Sequence, residues 1–291
     1  MAVEAACFLA AMEAMAYEEP DLHTLIANGL KYISDSRLLR LIHDVVEECG
    51  KTEDWRAVRE WVACHHGYDR YPGNCPIATN HAVVLMALLQ GRNDFQRSLS
   101  IATTAGWDTD CNAGNVGCLN GIRLGLQAID EGADMRSPLS DQMYVVSADG
   151  GECITDAVRE TRKLLAASAT LRQESFEQPA SRFSFEYPGS TQGFMLHPPY
   201  ITGQAVRRVE NAFKRHRESG LLIQYEGLAR GVRGIVSVKT FVDLEPKSVR
   251  GTSYFEVIAS PTLYPTQTIR ASVKAYNDLN PDFCFFIDYY D

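Results

Sequence analysis

Gly106-Trp-Asp-Thr-Asp-Cys-Asn-Ala-Gly-Asn-Val-Gly-Cys-Leu-Asn-Gly-Ile-Arg-Leu-Gly125 is the stretch on which the reading of this chain turns. Asp108 and Asp110 stand two residues apart where a helix is expected to begin. Gly114, Gly117, Gly121 and Gly125 follow at spacings of three, four and four. Those spacings put the glycines on one face of an α-helix. Each glycine inside a helix costs about 1 kcal/mol relative to alanine, so four on one face need a packing reason. The expectation is a buried helix whose smooth side lets neighbouring backbones approach closely. Two readings of the acids stay open. Asp is a favoured N-cap, and acids in a first turn are stabilised by the helix dipole. Alternatively, two carboxylates projecting from a rigid helix start are placed to hold a hard cation.

In its order, Gly-Trp-Asp-Thr-Asp-Cys-Asn followed by the glycine series resembles the C-terminal metal-binding motif of the ADP-ribosylglycohydrolase family. The run Asn80-His-Ala-Val-Val-Leu-Met-Ala-Leu-Leu-Gln-Gly-Arg-Asn-Asp-Phe95 is similar to that family as well. The likeness covers about residues 1–170 and implies the C-terminal half of an all-α catalytic bundle. Family members bind two Mg²⁺ ions and hydrolyse the glycosidic bond between ADP-ribose and its acceptor. The resemblance therefore implies Mg²⁺ as cofactor and an ADP-ribosylated protein or small molecule as substrate. Carried over by motif, Asp108 and Asp110 are metal ligands. Cys111 stands where the family has Thr or Ser, whose hydroxyl completes the contribution. A thiol matches Mg²⁺ poorly and shifts preference towards Zn²⁺ or another softer ion if it binds at all. Otherwise Cys111 packs as a small residue behind the acids. Trp107 is a candidate substrate-binding residue, stacking on a sugar or base, or else a core tryptophan. The family's other ligands, an N-terminal acid and a paired-acid motif, have no counterpart: no Thr-Asp-Asp, Ser-Asp-Asp or Gly-Asp occurs. A partial site is expected, and with it little or no hydrolase activity of the chain by itself.

Composition narrows the classes. At 291 residues, 45% hydrophobic and 22% charged, the chain is globular and long enough for two domains. A net charge of −9 argues against a general nucleic-acid binder and against anionic membrane surfaces. No apolar run reaches transmembrane length. Ala2 to Tyr17 is apolar, but Glu4 and Glu13 interrupt it and no basic residue precedes it, so it is not a signal peptide. Eight cysteines without a Cys-x-x-Cys pair suggest neither a zinc site nor a disulfide scaffold. Reduced, mostly buried thiols and a cytoplasmic location are expected.

Helical signals fill the first part. Ala2 to Tyr17 is rich in alanine and methionine. Asp21 is placed to cap a helix carrying Leu22, Leu25, Ile26, Leu30 and Ile33. Ser36 opens a third helix with Leu38, Leu39, Leu41, Ile42, Val45 and Val46 inward, and Asp54 starts a fourth with Trp55, Val58, Trp61 and Val62. His65 to Ala78 contains Gly67, Pro72, Gly73 and Pro76 and reads as a loop. Helices resume over about 80–90, 94–105, 110–129 and 156–171. Residues 1–172 thus form the expected helical domain, 173–184 a linker, and 185–291 an accessory domain.

In that last part Thr268 to Tyr276 alternates, with Ile269, Ala271, Val273 and Ala275 on one face. Val236, Val238 and Val242 repeat the rhythm, as do Tyr254 to Ala259 and Phe283 to Tyr290. Short strands between turn residues suggest an antiparallel β-sandwich. Ala259 to Thr268 resembles galactose-binding-type jelly rolls, which implies a carbohydrate ligand. The expected fold class is therefore multidomain: a partial ADP-ribosylglycohydrolase-like helical bundle plus an antiparallel β-sandwich or jelly roll. The chain opens without a recognisable cap and stops within or just after an apolar strand, which reads as a fragment of a longer protein or a truncated relative. An exposed apolar surface larger than a few hundred Å² is then expected on the helices from Ala2 to Val46.

Other residues receive structural readings. His65 and His66 are adjacent histidines, which seldom point at one centre, and are expected in a solvated loop. Asn93 and Asp94 read as a helix stop and a cap. Lys214 to Arg217 is a basic run too short for a nucleic-acid site and reads as a solvated face. Two functions remain: a metal-dependent hydrolase of the ADP-ribosylglycohydrolase type, or a non-catalytic carbohydrate- or protein-binding relative on a degenerate helical scaffold. Fold alone does not separate them, because function belongs to sites.

Overall fold

The computed structural model describes residues 1–145, 150–196, 205–241, 261–276 and 281–287. The chain divides into two compact units, Met1–Asp134 and Met135–Asp291. No helix among the described residues is long and apolar enough to cross a membrane.

Unit one is helical throughout: α1 (Ala2–Met15), α2 (Leu22–Gly29), α3 (Ser36–Lys51), α4 (Trp55–His66), α5 (Ile77–Gly91), α6 (Phe95–Thr104) and α7 (Thr109–Asp130). Local chemistry sets most of the starts. Asp21, Asp35, Asp54 and Asp94 each accept a hydrogen bond from a first-turn N–H, those of Thr24, Arg37, Arg56 and Arg97. Such a cap is worth about 1 kcal/mol against alanine. Helix α3 begins at Ser36 as its periodicity indicates, with Asp35 as the capping residue.

The bundle is organised around α5. Its residues from Ala78 to Leu88 are buried without a break, and it touches α1, α3, α4, α6 and α7. A helix apolar on every side is stable in water only when surrounded. Gln90, in its last turn, donates to the carbonyls of Cys49 and Thr52, 2.9 Å each. Those two bonds satisfy carbonyls at the end of α3 that have no helical partner.

Close backbone approach does occur at a glycine, but not on α7. A Cβ at Gly91 would lie 1.9 Å from Ser98 Oγ and 2.9 Å from Ser98 Cα, so α5 and α6 meet there without room for a methyl group. On α7, by contrast, a Cβ at Gly114 or Gly125 would meet nothing within 4 Å, and at Gly117 and Gly121 only ordinary contacts from 3.4 Å outward. The buried face of α7 is Asn112, Val116, Leu119, Asn120 and Arg123. The expectation of a tightly packed glycine face is therefore corrected: spacing identifies a face but not what lies opposite it. Gly125 has a separate role, since its φ of 76° and ψ of 179° break α7. We predict opposite effects for two alanine substitutions, read from urea unfolding midpoints. Gly91→Ala loses about 1–3 kcal/mol through overpacking, and Gly114→Ala gains up to about 1 kcal/mol from helix propensity. Equal or reversed effects would show that this packing is wrong.

Along α1, Val3, Ala6, Cys7, Ala10 and Ala14 are exposed and form an apolar strip. The exposed side of α3 carries Arg37, Arg40, His43 and Glu47 and is polar. The apolar surface expected over the first helices is thus confined to α1 among these two. All eight cysteines are free, and Cys7, Cys64, Cys75, Cys111, Cys118 and Cys284 are exposed, which corrects the expectation of mostly buried thiols.

Among the described residues, unit two holds three antiparallel strand pairs. β1 (Gln142–Tyr144) pairs with β2 (Ile154–Asp156), whose last residue caps α8 (Ala157–Leu171). β3 (Met195–Leu196) pairs with β6 (Val236–Ser237). β4 (Val206–Asn211) pairs with β5 (Leu221–Tyr225), with the short α9 (Phe213–His216) between them. Asn211 Nδ2 donates to the carbonyls of Phe185, Tyr187 and Ser190 and so fixes the loop beside β4. No β-sandwich is formed among the described residues. The 268–276 and 283–287 segments are not strands, and Ile269, Val273, Tyr276, Phe283 and Phe285 are exposed. Alternation is necessary for a half-buried strand, but hydrogen bonding to a neighbouring strand makes one. Val242 and the Tyr254 to Ala259 segment lie outside the described residues. The division between compact units falls at 134/135, upstream of the 173–184 stretch, and α8 belongs to unit two. The basic run is locally engaged: Arg215 pairs with Glu210, His216 stacks on Tyr276 at 4.1 Å, and Arg217 lies over Phe213.

Candidate metal centre

The site grows from the turn between α6 and α7. Gly106 and Trp107 both take positive φ, 89° and 62°. That conformation is unusual for an aromatic residue and needs support from its surroundings. Arg59 of α4 supplies it twice. Its Nε donates to the carbonyl of Ala105 at 2.9 Å, and its guanidinium lies 4.4 Å from the Trp107 ring centroid. The Tyr68 ring stacks on Trp107 at 6.1 Å with an interplanar angle of 26°.

Asp108 follows at the N-cap position of α7. Its carbonyl accepts the Asn112 N–H at 3.1 Å, but its carboxyl group makes no capping bond. Instead it hydrogen-bonds Asp110 and Cys111. One ligand atom from each of Asp108, Asp110 and Cys111 lies within 4.8 Å of the other two. Asp108 is half-buried, while Asp110 and Cys111 are exposed. The trio therefore opens at the surface of unit one rather than inside the bundle. Residues so close in sequence converge because Asp108 is outside the helical spiral, so its side chain can fold back over the first turn.

Electrostatics follow from this contact. The Asp110 carboxyl lies below the usual carboxylate range, first through its hydrogen bond with Asp108, then through the N–H groups of Cys111 and Asp110 itself. The Cys111 thiol is pushed above its ordinary range, first by its hydrogen bond to Asp108, then by partial burial and the negative charge of both acids. Cys111 thus does not pack behind the acids. It stands beside them.

Behind the trio a polar chain anchors α7 to α5. Asn112 Nδ2 donates to Asn80 Oδ1 at 3.2 Å, and Asn80 Nδ2 donates to the Tyr68 hydroxyl at 3.0 Å. The Cys75 thiol is in hydrogen-bonding contact with that same hydroxyl. Asn80, Asn112, Tyr68 and Arg59 were not singled out as site residues from the sequence. The available signal was Asn112 falling in helical register with Val116, Leu119, Asn120 and Arg123, which marks it as inward-facing.

Other candidates stand apart from the trio. His65 and His66 lie in the last turn of α4 rather than in a loop. His65 Nδ1 contacts the Trp61 carbonyl at 2.9 Å and His66 Nδ1 the Tyr71 hydroxyl at 2.8 Å, so these two nitrogens have separate hydrogen-bond partners. Asn93 takes a positive φ of 65° after α5, and its Oδ1 accepts from Arg123 at 2.6 Å, while Asp94 caps α6. Both have structural roles.

An all-helical unit with an Asp-Thr-Asp-Cys run converging at a helix start defines a helical protein with a candidate metal centre. Residues 1–175, more than half of the chain, match the model of the ADP-ribosylglycohydrolase family, and the chain belongs to that family. No curated protein and no solved structure matches it. The family is typically metal-dependent. The donor set can be tested against Mg²⁺ directly. The carboxylates of Asp108 and Asp110 suit a hard ion that prefers an octahedron of oxygens, whereas the sulfur of Cys111 does not.

Proposed function

We propose that this chain carries part of the site of a metal-dependent hydrolase that cleaves the glycosidic bond between ADP-ribose and an acceptor. The observation that carries the reading is the convergence of Asp108, Asp110 and Cys111 at the start of α7, within the segment that matches the family. Asp108 and Asp110 are assigned as metal ligands. Mg²⁺ is the ion implied by resemblance, and an ADP-ribosylated protein or small molecule is the substrate class. Trp107 borders the substrate, since its partly exposed ring precedes Asp108 and is held in place by Arg59 and Tyr68. The family match through residue 175 supports residues 1–172 as the family domain; that it corresponds to the family's C-terminal half and is joined by 173–184 to an accessory region is part of the same proposal. The Thr-Asp-Asp or Ser-Asp-Asp pattern that would complete the site does not occur in these 291 residues.

The test uses the full chain. Calorimetry is expected to show ADP-ribose binding that requires a divalent ion and is lost in Asp110→Asn. Release of ADP-ribose from an ADP-ribosylated protein should be slow or absent, because two carboxylates hold such an ion weakly without further ligands. Metal-dependent release at an ordinary enzymatic rate would overturn the half-site assignment. Failure to bind ADP-ribose with any ion would overturn the hydrolase reading in favour of the non-catalytic binding relative.

A further inference from the structure

We propose that the Asp108–Asp110–Cys111 centre selects a thiophilic divalent ion, Zn²⁺ or Co²⁺, over Mg²⁺, with Cys111 as the selecting ligand. The inference rests on reading the trio as a metal site and adds the identity of the ion. Three observations carry it. First, the geometry needs little adjustment. In a tetrahedral site, zinc–oxygen bonds of about 2.1 Å and zinc–sulfur bonds of about 2.3 Å put neighbouring donors about 3.5 Å apart. The present atoms lie within 4.8 Å of one another, so side-chain rotation of the exposed Asp110 and Cys111 has to draw them in by about 1 Å. Second, the sulfur is not engaged in packing. Cys111 is exposed, and its partner is the Asp108 carboxyl group. Third, the count suits the ion. Two carboxylates and one thiolate are three protein donors, which leaves a fourth tetrahedral position open for water or substrate. The same three supply only two of the six oxygens that Mg²⁺ prefers. Soft thiolate donors favour zinc and cobalt over magnesium.

The experiment is a titration of the full chain with Co²⁺, followed by competition with Zn²⁺ and with Mg²⁺. Thiolate ligation gives a sulfur-to-cobalt charge-transfer band in the near ultraviolet, so the readout does not depend on hydrolysis. The wild-type chain should develop the band, and Zn²⁺ should displace Co²⁺ at far lower concentration than Mg²⁺. Cys111→Ser, a conservative change at an exposed position, should lose the band. Loss of an outer partner alone costs about 10–100-fold in metal affinity, so Zn²⁺ affinity should fall by at least that factor. Mg²⁺ affinity should be kept or rise, because the serine hydroxyl is an oxygen donor. Cys64→Ser, at an exposed position on α4, controls for adventitious thiol binding and should leave the band intact. A wild-type complex without the band overturns the proposal, as does a band that persists in Cys111→Ser or an unchanged preference between Zn²⁺ and Mg²⁺. If Mg²⁺ binds, is lost in Asp110→Asn, and no thiolate signal appears, the metal site stands and only this inference falls. No ion bound under any condition removes both.

Discussion

Replacing Asp108 and Asp110 together by asparagine should weaken divalent-ion binding by about 100-fold or more while leaving the helical unit folded. Both halves of that statement come from the way α7 starts. Asp108 occupies the N-cap position without making a side-chain cap, so no capping bond is lost with it. Asparagine is as good an N-cap as aspartate. Asp110 is exposed, and its change opens no cavity. What the double variant loses is two anionic oxygens beside the Cys111 sulfur. Removing an outer partner of a ligand already costs about 10–100-fold, and the loss of two direct donors should reach at least the upper end. Calorimetry with Co²⁺ or Zn²⁺ measures the affinity, and thermal unfolding without metal measures the fold. An unchanged affinity would mean that the acids serve only the helix dipole.

The second large effect concerns His81, in the middle of α5. Its ring meets Phe8 edge-on at 5.4 Å, and neither ring nitrogen has a hydrogen-bond partner. Burial pushes its pKa down from 6.5 to about 4. The folded protein therefore holds the ring neutral over a range in which the unfolded chain takes up a proton. Stability rises with pH wherever the unfolded state binds more protons. The contribution of the neutral ring is complete above about pH 6.5 and is lost as the pH falls from there to about 4. The loss totals about 3 kcal/mol, a large part of the stability of an ordinary domain. His81→Leu keeps approximately the same volume and removes two unpaired polar atoms from the core. It should raise the urea midpoint at neutral pH and raise it further at about pH 5, where the difference grows by about 2 kcal/mol. Equal pH dependence in the two proteins would show that His81 is not held neutral by burial.

How much of this was legible beforehand varies with the kind of interaction. Asp21, Asp54 and Asp94 announce helix starts because capping and 3.6-residue periodicity are local, and those three side chains accept first-turn N–H bonds where their positions indicated. The Asn80 to Phe95 run, apolar over most of its length, was recognisable as helical, and the bundle made its first part the buried axis. The glycines of α7 were legible as a face but not as an open one. The alternating segment Thr268 to Tyr276 has the pattern of a strand and none of the pairing. His65 and His66 were misplaced because α4 runs up to His66 and ends only at Gly67, the first of the glycines and prolines that mark the loop.

The sequence alone determined the helical character of the first unit, its cap residues, and the acids and thiol available at the start of α7. These depend on neighbours along the chain, and a residue's own type carries them. Tertiary structure decided which glycine is truly pressed against another helix, that the Asp108 carboxyl turns towards Asp110 and Cys111 instead of capping, and that Arg59, Tyr68 and Asn80 hold that turn. Those outcomes depend on groups brought from α4, α5 and the turn between them. Contacts of that kind form only when distant segments pack, and no local pattern encodes the partner.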